Sequence, residues 1–261
     1  MTNALTQSLF RLLITPVRGG SGAFLRTFEN HRNVHAVHQP IKSGLREKGI
    51  PDYSIYQPSN PICNQYPGKF IVAKETIGPF KEECTFNLFP DDSAVQSSKP
   101  LFMFRDPFQT WNSWKKFGRK NYQTGLNCCC ISYQHTYELF KNALQISSDV
   151  TCITLEKLGK NPAKMFQYIC QRWEIPYDVQ MLNWSISFGE NTTFTIYAKN
   201  LIDQHPAWIK SVEQVRESTT FNYRPLKSEE LAIGSDEIEI ITHKLLPSYQ
   251  EISQLAEIFY P

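Results

Sequence analysis

Residues 100–107 read Pro100-Leu101-Phe102-Met103-Phe104-Arg105-Asp106-Pro107, and Ser113 lies eight residues beyond the Arg. The apolar run has the pattern of a strand buried on both faces. Asp106-Pro107 opens a helix that continues through Trp111-Asn112-Ser113-Trp114-Lys115-Lys116-Phe117. An Arg at a strand end and a Ser one to two turns into the next helix reach the same point. Both offer hydrogen bonds that suit a phosphate oxygen. Upstream, Thr15-Pro16-Val17-Arg18-Gly19-Gly20-Ser21-Gly22 forms a glycine-rich strand-to-helix turn. Two anion-binding elements in one chain imply a ligand with phosphate-like groups at both ends.

The rest of the chain alternates between the two periods. Strands are predicted at Leu9–Thr15, Val34–His38, Phe70–Ala73, Leu101–Phe104 and Val150–Thr154. Helices are predicted at Ala23–Glu29, Leu126–Ser147 and from Asn161-Pro162 through Trp173. Residues 44–66 are polar and Pro-rich and read as a partly helical surface excursion. This alternation predicts an α/β fold, a central parallel sheet flanked by helices, with residues 1–261 as a single domain. In such sheets ligands sit at the carboxyl ends of the strands. Arg18, His38, Lys74, Glu75 and Arg105 all fall at or just after predicted strand ends, so one crevice should gather them.

The composition bounds the partners. Lys plus Arg number 27 against 25 Asp plus Glu, so the net charge of +2 offers no general attraction to nucleic acid or a membrane surface. No 18-residue apolar run occurs, and the first strand starts too early to leave room for a signal peptide, so a cytoplasmic location is expected. Three of the seven cysteines are adjacent, Cys128-Cys129-Cys130, a spacing that suits neither a metal site nor a disulfide framework. No metal is expected.

The turn after the first strand lacks the Gly-Lys-Ser/Thr ending of an ATP-binding P-loop. It has no lysine for β/γ-phosphates and no hydroxyl for Mg²⁺. Backbone N–H groups of Gly19, Gly20, Ser21, Gly22 and Ala23 can still hold an anion at a helix start. Arg18 stands beside them, where it could stabilise charge on a leaving phosphate oxygen.

These two elements together resemble the 5′-phosphosulfate loop and the 3′-phosphate motif of sulfotransferases that use 3′-phosphoadenosine 5′-phosphosulfate (PAPS). The family turn commonly reads Pro-Arg/Lys-Ser-Gly-Ser/Thr-Thr. Here Val17 separates Pro16 from Arg18, and Gly19 and Gly22 replace hydroxyl residues. Arg105 and Ser113 match the family's 3′-phosphate Arg and Ser. His38-Gln39-Pro40 resembles a His-Glu-Pro of a bacterial and fungal branch, and Leu155-Glu156-Lys157-Leu158 resembles a Tyr-Glu-Asp-Leu. Ser218-Thr219-Thr220-Phe221 and Leu246-Pro247-Ser248-Tyr249 resemble that branch's Ser-Thr-Gly-Phe and its closing Leu-Pro-x-Tyr helix. Leu155 replaces a Tyr that often lies near the adenine, and no late Arg-Lys-Gly triplet occurs. Phe221 and Trp184 are readable either as stacking faces for the base or as core aromatics.

The resemblance implies the sulfotransferase fold, a P-loop-like sheet, and transfer of a sulfuryl group from PAPS to a hydroxyl or amine of a small molecule, leaving PAP (adenosine 3′,5′-bisphosphate). It also suggests members that tailor toxins or other secondary metabolites, such as those of saxitoxin-type pathways. Lys74 matches a lysine that approaches the transferred sulfonate. The family's catalytic His falls at Thr76, a poor base, which leaves His38 and Glu75 as substitutes. A nucleotide kinase and a non-catalytic nucleotide-binding protein of the same fold are the alternatives.

Overall fold

The computed structural model describes residues 9–118, 125–184, 194–196, 215 and 217–261. Among the described residues, six parallel strands form one sheet: β1 (Phe10–Pro16), β2 (Val34–His38), β3 (Phe70–Ile77), β4 (Leu101–Phe104), β5 (Thr151–Thr154) and β6 (Phe194–Ile196). Their order across the sheet is β5-β4-β1-β3-β2-β6. The chain winds from β1 towards β2 and β3 on one side, then crosses to β4 and β5 on the other. The topological switch therefore lies between β1 and β4, where open α/β sheets bind ligands.

Alternation along each strand fills two cores. Leu12, Ile14, Ile71, Ala73, Phe102 and Phe104 face one of them. It is covered by α2 (Pro40–Lys48), α4 (Asp92–Ser98), α5 (Pro107–Gly118) and α6 (Gly125–Ile146), with α9 (Ser235–Lys244) and α10 (Leu246–Phe259) contributing Ile241 and Ile252. Between α2 and α4 lies the short α3 (Pro61–Gln65). On the opposite face Leu13, Val72, Leu101, Met103 and Ile153 meet Phe24, Leu25 and Phe28 of α1 (Ser21–Glu29). Leu155 and Leu158 of α7 (Leu155–Lys160) and Phe166, Ile169 and Trp173 of α8 (Pro162–Trp173) complete that layer.

Two details differ from the sequence reading. β3 runs on through Lys74, Glu75 and Thr76 to Ile77, so these polar residues lie inside the strand rather than after it. β6 was not predicted, because Phe194-Thr195-Ile196 is too short to show a period. Residues 44–66 are partly helical as expected, with the end of α2, a 3-10 turn at Tyr53–Tyr56 and α3. Among the described residues, no helix is long and apolar enough to cross a membrane.

The turn that launches α1 is sterically specified. Gly20 has φ +89°, and a Cβ there would stand 2.7 Å from Leu155 Cδ2, whereas a Cβ on Gly22 would meet only Val215 Cγ2, at 3.8 Å. The two glycines should therefore respond oppositely. Gly20→Ala should destabilise by about 1–3 kcal/mol, the cost of a side chain held at positive φ. Gly22→Ala, inside the helix with room for a methyl, should stabilise by roughly 0.5–1 kcal/mol. Urea unfolding of both variants checks the pair.

Candidate active site

The loops after β1 and β4 meet at the switch point. Arg18, at φ 69°, turns its side chain so that Nε donates to Ser113 Oγ on α5 at 3.0 Å. Arg105 Nη1 donates to the Arg18 carbonyl at 3.4 Å. The two elements read separately from the sequence are thus one hydrogen-bonded unit. Arg18's guanidinium lies on the Arg105–Ser113 side of it.

The start of α1 closes the unit from the other direction. Phe24 N–H makes the first intrahelical bond, to Gly20 O at 3.3 Å. The N–H groups of Ser21, Gly22 and Ala23 precede that bond and need partners outside the helix. Gly19 is packed so tightly that a Cβ would stand 2.9 Å from Pro16 O and 3.0 Å from Thr15 Cβ. Thr15 Oγ1 is buried without a hydrogen-bond partner among the described residues. The groups offered here by Arg18, Ser21, Ser113, Arg105 and the helix start are all donors, which fits a phosphate-bearing ligand.

Lys74 supplies a cation next to that helix start. It shares strand parity with Val72 and so faces α1, where Nζ donates to Ser21 Oγ at 3.3 Å. Its pKa is lowered to about 7, first by burial and then by neighbouring Lys42, with Arg46 and Arg18 adding to the effect. His38 lies in register with Lys74 across β2 and β3. It has the parity of Val34 and Ala36 and shares the α1 face. Burial, with the charges of Lys74, Lys42 and Arg46, holds its imidazole well below the usual histidine range, hence neutral.

Glu75 has the opposite parity, alternating with Ala73 and Ile77, and faces the other layer. Its Oε1 accepts from the Ile41 N–H at 2.6 Å and the Lys42 N–H at 3.3 Å, at the start of α2. Burial raises its pKa, with Lys42 opposing. The two base candidates are therefore not equivalent, since His38 adjoins Lys74 while Glu75 fastens α2. Thr76 accepts from Lys42 Nζ at 2.7 Å and also from the Gln39 side-chain amide. Lys42 Nζ further donates to Thr76 O at 2.8 Å and Gly78 O at 2.7 Å, and pairs with Glu83 Oε2 at 3.3 Å.

Phe221 is 5% exposed and packs edge-on against Phe166 and Trp184, so its surroundings match the core reading of these aromatics rather than the stacking one. Leu155, 3% exposed, packs against Gly20. Two site neighbours had no role in the sequence reading. Tyr223 accepts from Arg105 Nε at 3.3 Å, and Glu156 accepts from Tyr223 OH at 2.8 Å. Glu156 opens a helix directly after β5, so the strand-end rule, extended to that strand, points to it. Nothing around Tyr223 in the sequence does.

No family model and no curated protein matches this sequence. Solved structures do. A sulfotransferase from Alicyclobacillus acidocaldarius is similar with a TM-score of 0.51 at 11% identity, over 95% of this chain and 96% of that one. The sulfotransferase domain from the Synechococcus PCC 7002 olefin synthase is similar with a TM-score of 0.50 at 13% identity, over 96% and 94%. The chain has the sulfotransferase fold.

Lys74 gives the site a measurable signature. An anion beside the α1 start favours the ammonium form, so affinity should fall as pH rises through about 7, where the free lysine loses its proton. Calorimetric titration with PAP from about pH 6.5 to 8.5 should show weakening affinity and proton uptake on binding. Lys74→Met should flatten that dependence. A pH-independent affinity in the parent protein would place the anion away from Lys74.

Proposed function

We propose that this chain is a PAPS-dependent sulfotransferase that acts on a hydroxyl or amine of a small-molecule acceptor. The observation that carries this reading is the joined Arg18–Ser113–Arg105 unit, set beside the start of α1 at the switch point of a sulfotransferase fold. In this reading Arg105 and Ser113 hold the 3′-phosphate. The N–H groups of Gly20, Ser21, Gly22 and Ala23, with the Ser21 hydroxyl, hold the 5′-phosphosulfate, while the Gly19 N–H, expected among them from the sequence, is given to Pro16 O at 3.1 Å and closes the turn instead. PAPS, when bound, supplies the activated sulfuryl group. Lys74, beside Ser21, offsets negative charge near it, whereas the Arg18 side chain, expected from the sequence at the leaving oxygen, meets Ser113 and serves the 3′-phosphate end.

His38 takes the acceptor's proton. Only neutral imidazole can do so, and burial among cations keeps His38 neutral through the physiological range. Glu75 is assigned to holding α2 instead, on the strength of its bonds to the Ile41 and Lys42 N–H groups. The whole chain serves as one domain in the cytosol, with no metal, nucleic-acid or membrane partner. Tailoring of a secondary metabolite fits this reading.

PAP should raise the unfolding free energy by about 2.7 kcal/mol at a hundredfold excess over Kd, while ATP with Mg²⁺ should do far less. A larger shift with ATP would return the chain to the kinases. Stabilisation by PAP without transfer from PAPS to any acceptor screened would make it a non-catalytic nucleotide binder.

Once an acceptor is found, His38→Ala should cut kcat by about a hundredfold or more and leave PAP affinity unchanged. Glu75→Gln should act on stability instead. The rising limb of the parent enzyme's rate should lie below pH 6.5, because the pKa of His38 is lowered from that value. A limb centred above neutrality, or a kcat collapse in Glu75→Gln alone, would reverse the assignment.

A further inference from the structure

Arg105 is held by more than its own turn. Its Nε donates to Tyr223 OH at 3.3 Å, and its guanidinium carbon lies 5.2 Å from the centre of the Tyr223 ring. The Tyr223 hydroxyl in turn donates to Glu156 Oε1 at 2.8 Å. A phenol has one proton, so giving it to Glu156 leaves only lone pairs towards Arg105. Glu156 is anchored on both oxygens. Oε1 also accepts from the Asp106 N–H at 3.2 Å, and Oε2 accepts from Tyr249 OH at 3.0 Å.

The packing around the ring agrees with this role. A Cβ on Gly159 would stand 2.7 Å from Tyr223 Cδ1, so α7 needs a glycine there for the ring to reach Arg105. Burial and Glu156 both raise the Tyr223 pKa, which keeps the phenol protonated as a donor. Tyr133 OH donates to the Arg105 carbonyl at 3.0 Å, so the backbone at this residue is fixed as well.

We infer that Tyr223 and Glu156 are positioning residues that set the orientation of the Arg105 guanidinium and so select a ligand carrying a 3′-phosphate. The relay commits Nε, and the Arg18 carbonyl takes one N–H of Nη1. The other N–H groups, in a plane fixed by the ring, are those a phosphate would take. The same relay ties the exit of β4 to the start of α7 and to α10, so the C-terminal part of the chain participates in nucleotide selection.

This inference rests on the PAPS reading above, and the test separates the two. Binding of PAP and of AMP, which lacks the 3′-phosphate, is measured by calorimetry for the parent protein and for Tyr223→Phe, Glu156→Gln, Arg105→Ala and Arg105→Ala/Tyr223→Phe. Tyr223→Phe keeps the ring and removes only the hydroxyl. It should weaken PAP by about five- to tenfold and leave AMP within about twofold. Glu156→Gln should act in the same direction, and it stands in if Tyr223→Phe does not fold. In the Arg105→Ala background, Tyr223→Phe should cost no further PAP affinity, because the relay has nothing left to orient.

Equal losses for PAP and AMP, or an undiminished loss in the Arg105→Ala background, would overturn the relay and leave the nucleotide reading intact. If the parent protein does not prefer PAP over AMP, or Arg105→Ala retains that preference, the nucleotide reading itself fails and the relay with it.

Discussion

The hydrogen bonds that radiate from Arg18 hold the rest of this site in place. Its side chain reaches Ser113 and its carbonyl receives Arg105, so the exits of β1 and β4 cannot move independently. That constraint requires a positive φ at Arg18, followed by another at Gly20. The sheet order makes the arrangement possible, because β1 and β4 are neighbours at the point where the winding reverses. Arg105 from the loop after β4 and the helix start from the loop after β1 are thereby brought to one crevice.

A second constraint lies under the opposite rim of the crevice. Lys42, Glu75 and Glu83 are almost fully buried, with Arg46 closing over Glu83. Burying ions is costly unless each is paired and hydrogen-bonded. Here Lys42 Nζ meets two carbonyls, a hydroxyl and a carboxylate, while Glu75 accepts two backbone N–H groups. Burial first, and then nearby cations that include Lys42 and Arg46, lower the pKa of both Lys74 and His38. The same cluster that fastens α2 to the end of β3 therefore also biases the charge of Lys74 and His38.

Much of this was legible in the sequence where apolar runs were long enough to have a period. β2 and β4 have the predicted ends, β1 shifts by one residue and β5 starts one residue later. The two turns that meet at the switch point were legible as a pair because glycine, arginine and serine gather there at strand ends. β3 was read short because Lys74-Glu75-Thr76 looks like a loop, although period-two alternation from Ala73 already sends Lys74 and Glu75 to opposite faces. That parity was the available signal that His38 and Glu75 could not share one role. Phe221 carried no such signal, since a base-stacking ring and a core ring have the same local sequence. Tyr223 was invisible for a different reason, as its partners Arg105 and Glu156 lie 118 and 67 residues away.

In the proposed function, one bisphosphorylated nucleotide spans both loops, with its 3′-phosphate on the Arg105 side. A crystal structure of the complex with PAP measures this most directly. It should show the 3′-phosphate on Arg105 and Ser113 and the 5′-phosphate on the N–H groups that open α1, with Lys74 alongside. A reversed nucleotide, or one bound away from the start of α1, would contradict it.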